Sequence, residues 1–379
     1  MNNYIKNLRK YSQREGFFDG EWYGFKEPFE KALSSNNNED GMLLWLKAVA
    51  KYHINEGTGS TYWIERAKSG GITNEKIDKA ESLDSLVSLL GNSDSGLLKK
   101  ENGYKDYYMP KNFKLEDMFK SSSSGTTGPA KTVYHTPQSL SVSAVNEYTG
   151  IKAQYPVKGL KDKKLLAAGP VGAYQEEHRK LAELLGMEYV GNEFETKGLK
   201  LLSPQEMMQA MKPVMEKEAY VLKQGNIGIA TAAMEMLSML PKDLFYDTDL
   251  IKVSGTQITS EGLKKAEEKT GKKLIPMYGH YAGKSSIGFA DGVSIVHIGG
   301  NRIYFSSDIA YFPAFPVTYI YMNNNGNPAA YDQKAQTKMI VAEPELLLIN
   351  DEDYAVKRKA TKATKSFKKI DGISDLSRS

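Results

Sequence analysis

The sequence predicts an α/β fold with β-sheets flanked by helices, and three stretches carry that expectation. Residues 250–278 read as a strand, LIKVSG, then a charged helix, EGLKKAEEKT, then a second strand, KLIPMY; Gly271 stops the helix, and the whole is a β-α-β unit. Residues 173–191 read as a helix closed by Gly186, where a left-handed residue usually ends a helix, followed by the strand MEYVG. Ser203-Pro204-Gln205-Glu206 is a capping box that opens a helix with Met207, Met211 and Val214 at helical spacing.

Taken in chain order, residues 1–110 read as a helical lead-in of the large domain, marked by MLLWLKAVAKYH at 42–53 and ESLDSLVSLL at 81–90. Residues 111–350 read as the core. A Ser/Gly-rich loop comes first, after which Thr136 can cap a helix whose first residue is Pro137. Thr259 or Ser260 serves as cap of the helix at 261–270. SIVHI and RIYFSS flank a GGN turn at 299–301 as an expected hairpin, and VTYIYM and ELLLI supply further strands. The methionines at 207, 208, 211, 215, 234, 236 and 239 read as core packing rather than an adaptable substrate wall. Residues 351–379 form a basic tail, VKRKATKATKSFKK followed by DGISDLSRS, read as a solvated end.

Composition narrows the function classes. With 379 residues, 40% hydrophobic, the chain can bury a substantial core, as two or three folding units or one large α/β domain with insertions. Fifty Lys+Arg against 46 Asp+Glu leave a net charge of +4, too mild over this length to call for a nucleic acid or a membrane surface. The absence of cysteine excludes disulfides, thiolate metal sites and an acyl-cysteine intermediate. The amino-terminal MNNYIKNLRKYSQREG lacks the apolar core of a signal peptide, and no window approaches the roughly 18 apolar residues of a membrane helix, so the expected location is the cytoplasm. The five histidines lie far apart without zinc-ligand spacing, no GxSxG elbow occurs, and GNIG at 225–228 falls short of a dinucleotide fingerprint.

What remains is SSSSGTTGPAKT at 121–132. Glycines let backbone N–H groups converge, short hydroxyl side chains leave room for oxygens, and Lys131 adds a charge, a combination that suits a phosphate chain. Ala130 before Lys131 breaks the Walker A spacing. A flexible Ser/Gly linker is the bland alternative, but it does not require two threonines between glycines followed by proline and lysine.

Ser123-Ser124-Gly125-Thr126-Thr127-Gly128-Pro129-Ala130-Lys131 resembles the phosphate loop of the adenylate-forming superfamily, the acyl-CoA synthetases and nonribosomal peptide adenylation domains, with the proline one place earlier than usual. The resemblance implies the large N-terminal domain of that superfamily, with ATP phosphates held by this loop and with Thr127 and Lys131 acting in catalysis. Val253-Ser254-Gly255-Thr256, a helix, then Ile275-Pro276-Met277-Tyr278-Gly279 is similar to the superfamily's adenine-binding segment, which gives Gly255, Thr256, Tyr278 and Gly279 to the base. The stretch GGITNEKIDKAESLDSLVSLL at 70–90 is similar to a short branch containing phenylacetate-CoA ligases, acyl-protein synthetases and a phenazine-antibiotic biosynthesis protein. That branch implies a carboxylic acid substrate, with an aromatic acid favoured.

Further roles follow from the same resemblance. Asp353, with Asp351 as rival, takes the ribose; His178, His280 and Tyr281 face the acid, and His280 also counts as catalytic. The places of the superfamily's threonine and magnesium-holding glutamate are Tyr281 and Ala282, so Mg2+ is implied as a cofactor while its ligand is unknown. The small C-terminal lobe is expected to be absent, with a separate lobe or carrier protein as possible partner. The leading expectation is ATP-dependent activation of an acid as its acyl-adenylate. The alternatives are a catalytically degenerate nucleotide- or acid-binding subunit and a ligase split over two chains.

Overall fold

The computed structural model describes residues 10–11, 14, 16, 22–35, 38–90, 94–123, 129–195, 202–254, 260–280, 284–287, 294–298, 303–305, 308–310, 317–322 and 338–342. The described part of the lead-in includes α1 (Lys26–Leu33), α2 (Asn38–Ile54), α3 (Thr61–Gly70), α4 (Asn74–Asp78) and α5 (Leu83–Leu90). Phe25 and Phe29 meet the buried Trp45 edge-on, with ring centroids 5.8 and 5.5 Å away. Trp45, Val49 and Ile77 belong to the same apolar cluster as Leu165, Leu250 and Ile275, so the lead-in and the core share packing across residue 110.

Next comes a hairpin, β1 (Phe119–Ser122) and β2 (Thr132–His135), running into α6 (Pro137–Gln154). An alternation follows: β3 (Lys164–Pro170), α7 (Ala173–Leu185), β4 (Glu188–Phe194), α8 (Pro204–Lys223), β5 (Ile227–Ala233), α9 (Met234–Met239), β6 (Thr248–Ser254), α10 (Ser260–Thr270), β7 (Lys273–His280) and β8 (Lys284–Ile287). The strands make one sheet in the order β4-β3-β5-β6-β7-β8, the first five parallel and β8 antiparallel. The expected α/β architecture is thus present, with the β-α-β unit at β6-α10-β7.

The helix boundaries follow the chemistry of their ends. Thr136 Oγ1 accepts the Ser139 N–H at 3.3 Å with Pro137 in the first turn, and α7 stops at Gly186 with φ +68°. Ser203 N–H donates to Glu206 Oε2 at 2.8 Å while Ser203 Oγ accepts the Glu206 N–H at 3.3 Å, the reciprocal capping box.

Alternation along each strand divides the core between the two faces. Leu165, Ala167, Ile229, Leu250 and Ile275 join the cluster that contains residues of α6 and α7. Leu166, Ala230, Ala232, Ile251, Val253 and Leu274 pack with Val221 and Leu222 of α8, Leu237 of α9 and Ala266 of α10.

Two expectations are corrected. SIVHI is β9 (Ser294–Ile298), and among the described residues it pairs with β12 (Val317–Met322) and not with the strand after residues 299–301. That strand, β10 (Ile303–Phe305), pairs instead with β11 (Asp308–Ala310), while β13 (Lys338–Ala342) completes the β9-β12 sheet. The five matched positions of β9 and β12 offer more cross-strand pairs than a three-residue strand can. The methionine set also divides: Met236 is buried, but Met208 is 57% exposed because it lies off the inward stripe Val214, Glu218, Val221 of α8. ELLLI and the basic tail lie outside the described residues.

Candidate functional site

The Ser/Gly-rich loop is held at its neck. Ser123 N–H donates to Lys131 O and Lys131 N–H to Ser123 Oγ, both at 2.9 Å, directly beyond the last ladder pair Ser122–Thr132, whose hydroxyls lie 3.0 Å apart. The loop therefore springs from a hairpin that runs, through the cap Thr136, into an 18-residue helix. Ser124, Gly125, Thr126, Thr127 and Gly128 lie outside the described residues.

The base of this hairpin rests at the C-terminal edge of the parallel sheet. Gly172, in the β3–α7 turn, has φ +93°, and a Cβ there would stand 2.6 Å from Lys120 O of β1. Glycine alone allows both the backbone angle and the approach. In an open parallel sheet, ligands bind beyond the carboxyl ends of strands where the strand order reverses. Here the chain goes from β3 to β4 on one side and then to β5 on the other, so the reversal lies between β3 and β5.

These two strands part at that end. Their ladder reaches Leu166–Ala230, and beyond it side chains take over. Thr231 Oγ1 accepts the Ala168 N–H at 2.8 Å and the Tyr174 hydroxyl at 2.9 Å, and donates to Ala168 O at 3.2 Å. Burial raises the Tyr174 phenol well above its ordinary range, so it remains a neutral donor.

Beneath this plug is a buried charged group. Lys252 of β6 donates to Glu147 Oε2 of α6 and lies 3.0 Å from His178 Nε2 of α7. His178 Nδ1 is 2.8 Å from Tyr174 O, which can only accept, so Nδ1 carries the hydrogen and Nε2 accepts from the ammonium. All three residues are at most 3% exposed. On the opposite face Glu218 of α8 is wholly buried, both its oxygens without a hydrogen-bond partner among the described residues, and burial pushes its carboxyl up to about 8.

The remaining expected residues divide by placement. Tyr278, Gly279 and His280 form the end of β7, paired with Ser286, Ser285 and Lys284 of β8. This lies past the last parallel pair, Val253–Pro276, at the same edge of the sheet as the end of β6. Gly255, Thr256, Tyr281, Ala282, Asp351 and Asp353 lie outside the described residues. His178 belongs to the core rather than to a helix surface. The described residues contain no cluster of three or more His, Asp or Glu able to hold a metal, and no helix among them is long and apolar enough to cross a membrane.

Sequence reasoning passed over Tyr174, Thr231, Glu147, Lys252 and Glu218. Two of them leave a signal: Lys252 shares the strand phase of Leu250 in LIKVSG, and Glu218 falls on the stripe of Val214 and Val221. A lone charge in phase with core residues marks a buried polar group.

No family model matches the chain, and no curated protein does. Among solved structures, an open conformation of 2-hydroxyisobutyryl-CoA ligase in complex with 2-HIB-AMP and CoA matches with 10% identity and TM-score 0.46, over 68% of this chain and 54% of that one. The same ligase in the postadenylation state with 2-HIB-AMP matches with 9% identity and TM-score 0.46, over 75% and 63%. ATP-bound MatB from Rhodopseudomonas palustris matches with 13% identity and TM-score 0.30, over 57% and 41%. The chain thus spans between half and two thirds of the length of the ligase.

Proposed function

We propose that this chain activates a carboxylic acid, an aromatic one by preference, as its acyl-adenylate at the expense of ATP. The observation that carries the reading is the loop SSSSGTTGPAK, closed at its neck by the Ser123–Lys131 bonds and rising from a hairpin seated at the C-terminal edge of a parallel sheet. In this reading Ser123, Ser124, Gly125, Thr126, Thr127, Gly128 and Lys131 hold the β- and γ-phosphates. Gly255, Thr256, Tyr278 and Gly279 receive the adenine, with the Tyr278 ring stacked on it, and Asp353 takes the ribose.

The acid's carboxylate oxygen forms a bond to the α-phosphorus as the bond to the β-phosphate oxygen breaks, and pyrophosphate leaves with the electron pair. Charge grows on the leaving group, where Lys131 and Thr127 donate hydrogen bonds that strengthen in the transition state. His280 and Tyr281 contact the acid. His178, engaged with Tyr174 O and Lys252, serves as the polar floor beneath it. The Ala282 side chain carries no oxygen with which to hold Mg2+, so no step is assigned to a side-chain metal ligand at this place.

Acid-dependent exchange of labelled pyrophosphate into ATP, with Mg2+ and a pool of aryl and fatty acids, tests the proposal. Exchange is expected, and Lys131→Ala should lower it at least tenfold. Exchange that survives Lys131→Ala unchanged would remove the loop from the mechanism. ATP binding without exchange would favour a nucleotide-binding subunit, the reading that Ala282 supports.

A further inference from the structure

The Glu147–Lys252 pair is costly where it lies. Both ions are out of water, at 0% and 3% exposure, and desolvation takes several kcal/mol from each. Buried pairs of this kind are often replaced by apolar residues at no loss of stability, and their best-attested use is to fix one register among several. The register at stake here is that of β6 against α6 and α7. Lys252 aligns with Thr231 of β5 and Ile275 of β7, two residues before β6 ends at Ser254. Its ammonium reaches Glu147 on α6 and His178 on α7 at once. α6 is the helix into which the loop-bearing hairpin runs through Thr136, and β6 is the strand that delivers residues 255 and 256.

We infer that Lys252 is a positioning residue: through Glu147 it fixes the end of β6 relative to the arm that carries Lys131, and so sets the spacing between the base-binding and phosphate-binding segments. The inference rests on the proposed ATP site. An apolar core residue at 252 would pack the same space, but it would let α6 shift against β6, whose own place is held by its ladders to β5 and β7, because apolar contacts have no direction. A hydrogen-bonded ammonium between two acceptors does not.

The test is ATP affinity by calorimetry and thermal stability of the full chain, for wild type, Lys252→Met, and the double variant Glu147→Leu with Lys252→Met. The single variant should lose stability, because it strands a buried carboxylate. The double variant should melt at or above the wild-type temperature yet bind ATP at least fivefold more weakly, a split that a merely structural role would not give. ATP affinity within twofold of wild type in the double variant overturns the inference, since the pair would then be replaceable filling. A double variant that does not fold also overturns it, since the pair would then be a stability element. Wild type that fails to bind ATP overturns the acyl-adenylate reading itself, an outcome seen before any variant is compared.

Discussion

The Tyr174 hydroxyl lies 2.9 Å from Thr231 Oγ1, and this pair ties α7 to β5 where the β3–β5 ladder has ended. The threonine oxygen also takes the Ala168 N–H, so the two side-chain groups are not equivalent. Thr231→Val leaves a buried N–H unpaired and should cost about 1–3 kcal/mol. Tyr174→Phe removes one neutral hydrogen bond and should cost about 1 kcal/mol. Thr231→Ser should be near neutral. Urea unfolding of the three variants gives the order, and a Thr231→Val loss no larger than that of Tyr174→Phe would contradict the geometry.

Gly172 joins fold to candidate site, because its backbone meets Lys120 O of the loop-bearing hairpin. Gly172→Ala should lower stability on the order of 1–3 kcal/mol through backbone strain and the Cβ contact. It should also weaken ATP binding by displacing the hairpin. Wild-type stability in this variant would show that the close approach does not exist in solution.

Glu218 makes stability fall as pH rises. Its folded-state carboxyl titrates at about 8 against an ordinary 4.5, so between these values the folded chain keeps a proton that the unfolded chain has released. The stabilisation is fully present below about 4.5 and is lost as pH climbs to about 8, on the order of 1.4 kcal/mol per pH unit at most. Glu218→Gln should flatten this slope and be the more stable protein at pH 8. Parallel stability curves for wild type and variant from pH 5 to 9 would rule out the buried acid.

His53 acts in the opposite sense. It lies buried in α2, and burial pushes its imidazole down to about 3 from 6.5, so below 6.5 only the unfolded chain gains the proton. Its contribution is complete above about 6.5 and is lost progressively toward pH 3. His53→Gln should therefore lose less stability than wild type between pH 6.5 and 4. Equal losses in chemical denaturation over that range would place the acid sensitivity elsewhere.

Much of the fold was legible because its signals are local. A cap depends on a few neighbouring atoms, so Thr136, Gly186 and Ser203-Glu206 marked their helix ends correctly. The β6-α10-β7 unit followed from a change of hydrophobic period within 30 residues. Strand pairing is not local, and the sequence alone joined β9 to β10 across a plausible turn while the chain pairs β9 with β12.

By itself, then, the sequence determined the α/β class and the helix ends, because each depends on residues adjacent in the chain. Only the tertiary structure decided that β3 and β5 part at Ala168, that Lys120 meets Gly172, and that Lys252 joins Glu147 and His178. Lys252 and Glu147 are 105 residues apart, and no local pattern encodes which buried charge another will meet. That choice is made when the two faces of the sheet are covered and each polar group left inside must find its partner or, like Glu218, hold its proton.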